Sequence, residues 1–190
     1  MVDGAAQLMW MFHGFQTMGM WDETQRESNL LDGGAHFYDS YECADGEYVS
    51  IGSIEPQFYA LLKEKADLSE DDFGDQNNAA KWPEMKAKIT EIFKQKTQAQ
   101  WCELMEGTDV CFAPVLNFVD APQHPANVAR QTYIEVDGVT QPAPAPRFSR
   151  TPSEVRNSGS AAGADTQTVL SAMGFAESEL EDLKNTGAIG

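Results

Sequence analysis

Basic residues are scarce in this chain of 190 residues: Lys and Arg number 13 against 30 Asp and Glu, for a formal net charge of -17. Nucleic-acid binding needs a basic footprint, so this balance excludes it as the main activity. An anionic membrane surface is excluded on the same ground. The acids are scattered rather than massed, which fits a solvated surface better than a site for a cationic partner. Cysteine is also sparse, at three residues, Cys43, Cys102 and Cys111. The odd count and irregular spacing fit no zinc pattern, and their apolar surroundings predict buried free thiols in a reducing, cytoplasmic compartment.

Several signatures are missing. There is no G-x-S-x-G elbow, Walker loop, dinucleotide fingerprint or HExxH pair. His13, His36 and His124 are far apart, and Asp71-Asp72 lacks the glycine and distal glutamate of a calcium loop. No metal is therefore expected. The start, MVDGAAQLMWMFHGFQTMGMW, is apolar but has no basic region before it. Asp3, Gln7, His13 and Gln16 interrupt it, so neither a signal peptide nor a membrane span fits. No repeat and no heptad run is visible.

What is present is a 42% hydrophobic, globular composition with a mean hydropathy of -0.42. Residues 2 to about 20 predict one helix, apolar on nearly every face, that needs an interface or a partner to cover it. A polar connector then ends in Gly33-Gly34. The stretch 30–59, LLDGGAHFYDSYECADGEYVSIGSIEPQFY, organises the rest. Phe37, Tyr41 and Cys43 share one strand parity, Asp45-Gly46 signals a hairpin turn, and Pro56 suits the first turn of a helix. That helix runs to about Ala66. A polar loop follows, then a helix from Pro83. Thr97 and Gln100 form a capping box for a further helix that Gly107 stops. Residues 110–116 predict a strand that lies at an edge or carries a bulge, because Pro114 cannot donate to a ladder. A short helix, a strand with a turn at Asp137-Gly138, a proline-rich arm over 141–152 and two closing helices complete the chain. Short, mostly antiparallel strands with helices on one side define an α+β class.

Glu55 has two readings. It is a carboxylate at a helix start, favoured by the dipole, which is the commoner case. Alternatively it is an active-site acid beside a hairpin and a glycine turn. Gly33-Gly34 is likewise either an ordinary turn or a place where backbone approaches a substrate. Arg147 and Arg150 flank Phe148-Ser149 in the arm and fit ion-pair docking better than phosphate contact. Read on their own, the residues stop at an α+β domain that is either an enzyme fragment or an interaction module.

GGA-x-FY, Y-x-x-ADGE-x-x-x-x-G-x-IEPQFY, KWPEMK, AQWCELMEGTDVCFAPVL, PRFSRTP and MGFAESELEDLKNTGAI occur in order along the chain. Together they resemble the α-methylacyl-CoA racemase branch of the class III CoA-transferase (CaiB/BaiF) family, of which this chain is similar to the C-terminal half. The resemblance implies a linking helix and connector at 1–30. It implies a small α/β domain at 31–140 and an arm with helices at 141–190 that packs on a Rossmann-like large domain. It implies an interlocked homodimer and epimerisation at the α-carbon of a 2-methylacyl-CoA thioester. Coenzyme A enters as part of the acyl-CoA substrate, with no separate cofactor. The proton-transfer His and Asp of such racemases are expected upstream of Met1, so the chain alone is expected to be inactive. Glu55 matches the carboxylate that supports the catalytic histidine, and Gly33 and Gly34 match the glycine turn near the substrate. His36 departs from the proline that many relatives carry there, and GADT at 163–166 departs from the usual GEHT. A CoA-transferase and a non-catalytic dimerisation module remain the alternatives.

Overall fold

The computed structural model describes residues 1–155 and 158–189. They form two compact units, 1–116 and 117–190.

In the first unit, α1 (Val2–Leu8) and α2 (Trp10–Thr17) replace the single helix expected from the sequence. The ladder breaks at Met9, whose N–H reaches back only three residues, to the Ala6 carbonyl. Gly4 and Gly14 weaken the two pieces further, because glycine loses the most freedom on ordering. Val2, Leu8 and Trp10 stay largely exposed. Phe12 packs edge-on against Phe15 and Trp21.

The connector 22–34 is knotted rather than loose, and Asn29 is the reason. Its side-chain oxygen accepts from the Asp22 N–H at 2.7 Å. Its amide donates to the Asp22 carbonyl and to Asp32 Oδ2, while its own N–H donates to Asp32 Oδ1. Its carbonyl accepts from Gly34 N at 3.1 Å. A buried amide with every group satisfied fixes the loop around it.

The hairpin follows as β1 (Tyr38–Glu42) and β2 (Tyr48–Gly52), paired antiparallel with Tyr41 opposite Val49. Gly46, at φ 81°, closes the turn by donating to the Cys43 carbonyl. Next come α3 (Pro56–Ala66), α4 (Glu70–Phe73), α5 (Trp82–Phe93) and α6 (Gln98–Met105). The capping box at Thr97 and Gln100 is formed in both directions. Strand β3 (Phe112–Val115) adds antiparallel to β2, in the order β1-β2-β3, so Pro114 lies on an edge strand. The core gathers on one face of this sheet: Phe37, Tyr41, Val49 and Ile51 meet Leu62, Ile89, Phe93 and Trp101. Tyr41 stacks on Phe93 at 5.1 Å and 14°. Each such side chain contributes about 1.5–3 kcal/mol on burial.

The second unit holds α7 (Pro125–Arg130), a separate hairpin of β4 (Tyr133–Val136) and β5 (Val139–Pro142), then α8 (Thr166–Ala172) and α9 (Glu177–Asn185). Asp137 and Gly138 both have positive φ, 52° and 79°, as a two-residue hairpin turn requires. No helix among the described residues is long and apolar enough to cross a membrane.

Candidate active site

Alternation puts Tyr41, Val49 and Ile51 on the core face of the three-stranded sheet and leaves a row of small residues in the middle of its outer face. Ser40, Ser50 and Ala113 lie side by side across the strands, and Gly52 lies opposite Tyr38. Above that row of small residues an open depression of about 550 Å³ remains. The glycine turn, through Asp32 and Gly33, forms one rim, and Cys111 and Phe112 form the other.

The two glycines of the turn are not alike. Gly33 has φ 91°, and a Cβ there would meet nothing closer than Asp39 Oδ2 at 3.7 Å. Gly34 is buried, and a Cβ on it would lie 2.5 Å from the Ser28 carbonyl carbon and 2.6 Å from Asn29 N and O. The neighbours are backbone and cannot swing aside. Gly33 therefore serves the conformation of the turn and Gly34 serves its close packing.

Behind the turn stands Lys86 of α5. Its ammonium donates to the Gly33 carbonyl at 2.5 Å and pairs with Asp39 Oδ2. Asp39 Oδ1 accepts from the Ser40 N–H at 2.8 Å. No signal in the sequence links Lys86 to Gly33, since 53 residues separate them.

Glu55 is the N-cap residue of α3, with φ -71° and ψ 144°. Its carbonyl accepts from the N–H groups of Phe58 and Tyr59, both at 3.0 Å. Its carboxylate is exposed and makes no capping hydrogen bond, so it is not consumed by the helix start. Glu55 lies outside the lining of the depression but close enough to Cys111 to act on its thiol. Partial burial, then the charges of Glu55 and Asp109, hold that thiol above its ordinary range. Cys111 is exposed and sits at φ 61°, contrary to the buried thiol expected from its neighbours. It precedes an edge strand whose outer face is solvated, so local apolar sequence does not bury it. Cys43 is buried, and burial followed by nearby acids pushes its thiol up to about 11.

The approach to Glu55 is held from below. Gln76, buried, donates from Nε2 to the carbonyls of Ser53 and Ile54 at 3.0 and 2.9 Å. Trp82 Nε1 in turn donates to the Gln76 carbonyl at 2.8 Å. Ser53 is fully buried and its hydroxyl donates to the Val110 carbonyl at 2.5 Å. The sequence does not flag any of these three positions.

None of the histidines lines the depression. His13 lies on α2, and His124 caps α7 in the second unit. His36 is fully buried, with Nε2 2.7 Å from Tyr59 Oη. Tyr59 spends its proton on the Phe73 carbonyl at 2.9 Å, so His36 Nε2–H is the donor to Tyr59. Burial pushes the imidazole down from the ordinary 6.5 to about 4, so it is neutral at physiological pH. Among the described residues, no group of three His, Cys, Asp or Glu is placed to hold a metal ion. Arg147 donates to the Gln131 carbonyl at 2.8 Å within the second unit.

The chain is 42% identical over 186 residues to Alpha-methylacyl-CoA racemase of Mus musculus, covering 96% of this chain and 48% of that protein. It is 38% identical over 195 residues to Alpha-methylacyl-CoA racemase of Homo sapiens, covering 97% and 49%. It thus spans about half the length of these relatives. A crystal structure of a hypothetical protein from Mycobacterium tuberculosis shares the fold, with a TM-score of 0.57 and 19% identity over 70% of this chain and 39% of that one. The family model of CoA-transferase family III matches residues 1–166. On that match and those identities, the chain belongs to CoA-transferase family III.

Proposed function

We propose that this chain forms one wall of an acyl-CoA active site in which a 2-methylacyl-CoA thioester is epimerised at its α-carbon. The observation that carries the reading is the 42% identity, over nearly the whole chain, to a protein named Alpha-methylacyl-CoA racemase. A base removes the α-proton, an enolate forms on the thioester, and an acid on the opposite face returns a proton. Coenzyme A is part of the substrate, and no further cofactor takes part.

Within these residues the support is positional. Glu55 keeps a free, exposed carboxylate at the start of a rigid helix, available to hydrogen-bond an imidazole and raise its basicity. Gly33 brings backbone to the rim of the depression, and Gly34, buried beside it, fixes the turn by close packing. By its resemblance to such racemases, the chain takes its proton-transfer pair from residues outside these 190, and none of its three histidines lines the depression. The chain by itself is then without activity. It acts within a longer polypeptide, paired as a homodimer.

A second reading, transfer of CoA between two acids, is favoured by the name of the family model. One experiment separates them. A fusion in which this chain replaces the matched segment of the mouse relative is given a 2-methylacyl-CoA in deuterated water. The racemase reading expects deuterium at the α-carbon with the fusion and none with the 190-residue chain alone. CoA transfer to an added acid without α-exchange decides for the transferase.

A further inference from the structure

We infer that Lys86 is a positioning residue for the substrate-facing glycine turn, an inference that rests on the reading of the depression as part of an acyl-CoA site. Lys86 belongs to α5, on the core side of the sheet, and its ammonium reaches out to the back of the turn. One cation holds two groups there: the carbonyl of Gly33 and the carboxylate of Asp39.

The arrangement has a mechanical reason. Gly33 is in the left-handed region, where glycine is as free as the chain allows. Gly34 is wedged against the backbone of residues 28 and 29, so the far side of the turn is fixed. The peptide after Gly33 joins that fixed side to the freer Gly33. The Lys86 ammonium fixes its carbonyl toward α5, which turns the Gly34 N–H toward Asn29, where it bonds at 3.1 Å. Asp39 is the second anchor. It is opposite Ile51 in the hairpin and holds the ammonium between the strand and the turn. Lys86 and Asp39 are only about a quarter to a third exposed, at 30% and 27%, so water competes weakly for the pair. The other lysine of α5, Lys88, pairs instead with Asp72 and Glu84 and has no part in the turn.

The test compares Lys86→Met, Lys86→Arg and Lys88→Met in the isotopically labelled chain, reading the amide resonances of Gly33 and Gly34. K86M displaces both, K86R restores them toward their original positions, and K88M leaves them unmoved. Asp39→Asn keeps the ammonium but removes its carboxylate, and displaces the same resonances; it decides the matter if K86M does not fold. Unmoved Gly33 and Gly34 amides in K86M, or in D39N where only that variant folds, overturn the inference. In the mouse fusion, K86M lowers the turnover number for α-proton exchange by roughly 10- to 100-fold with K86R recovering most of it, the effect of a wall displaced by about an ångström. A K86M fusion with unchanged turnover overturns the positioning role. A parent fusion without any exchange refutes the racemase reading instead, and the amide resonances alone then judge the clamp.

Discussion

The imidazole of His36 and the phenol of Tyr59 meet 2.7 Å apart in the core, and the bond has a fixed direction because Tyr59 donates onward to Phe73. The other ring nitrogen, Nδ1, is buried without a hydrogen-bond partner. Protonating it would place a charge against Phe37 and Phe73.

That geometry makes stability depend on pH in a defined window. The folded His36 titrates at about 4 and an unfolded histidine at 6.5. Between those values the unfolded chain binds the extra proton, so stability is fully present above pH 6.5 and falls as the pH drops toward 4. The loss attributable to His36 is at most about 3 kcal/mol. Urea unfolding from pH 7 to pH 4, compared between the parent chain and His36→Phe, reads it directly. The variant is expected to show a flatter dependence across that window.

The two glycines of the turn predict unequal costs. Gly34→Ala drives a methyl group into backbone and is expected to cost about 3 kcal/mol or more, the upper end of overpacking. Gly33→Ala meets only an ordinary contact and suffers the left-handed backbone alone, about 1 kcal/mol. Thermal unfolding of the two variants checks the order; equal costs would contradict the packing described for Gly34.

Gln76→Leu strips the donor from the Ser53 and Ile54 carbonyls. The expected cost is about 1–3 kcal/mol, the penalty for leaving such groups unpaired. Protection of the Phe58 and Tyr59 amides, which bond to the Glu55 carbonyl, should fall with it in hydrogen exchange.

Glu55→Gln separates function from folding. The carboxylate is exposed and caps nothing, so stability should stay within about 0.5 kcal/mol of the parent. In the mouse fusion, α-proton exchange should drop about tenfold or more. Loss of the carboxylate also removes the charge that favours the imidazolium, so the acid limb of the rate profile should move to lower pH.

How far the sequence reveals this structure depends on the range of the contact. The hairpin, the start of α3 at Pro56 and the box at Thr97 and Gln100 are written within a few residues, and each forms as expected. The break at Met9 is local too, but apolar periodicity runs through it unchanged. What holds the site is mostly distant. Lys86 reaches Gly33 across 53 residues, Gln76 reaches Ser53 across 23, and Ser53 reaches Val110 across 57. Such pairs leave no period or turn signature. Cys111 shows the converse error, since apolar neighbours suggest burial while an edge strand keeps it exposed.

The most direct measurement is deuterium incorporation at the α-carbon of a 2-methylacyl-CoA by the mouse fusion. Incorporation is expected with the fusion, less with its E55Q variant, and none with the 190-residue chain alone. Incorporation by the chain alone, or CoA transfer without incorporation by the fusion, would contradict that expectation.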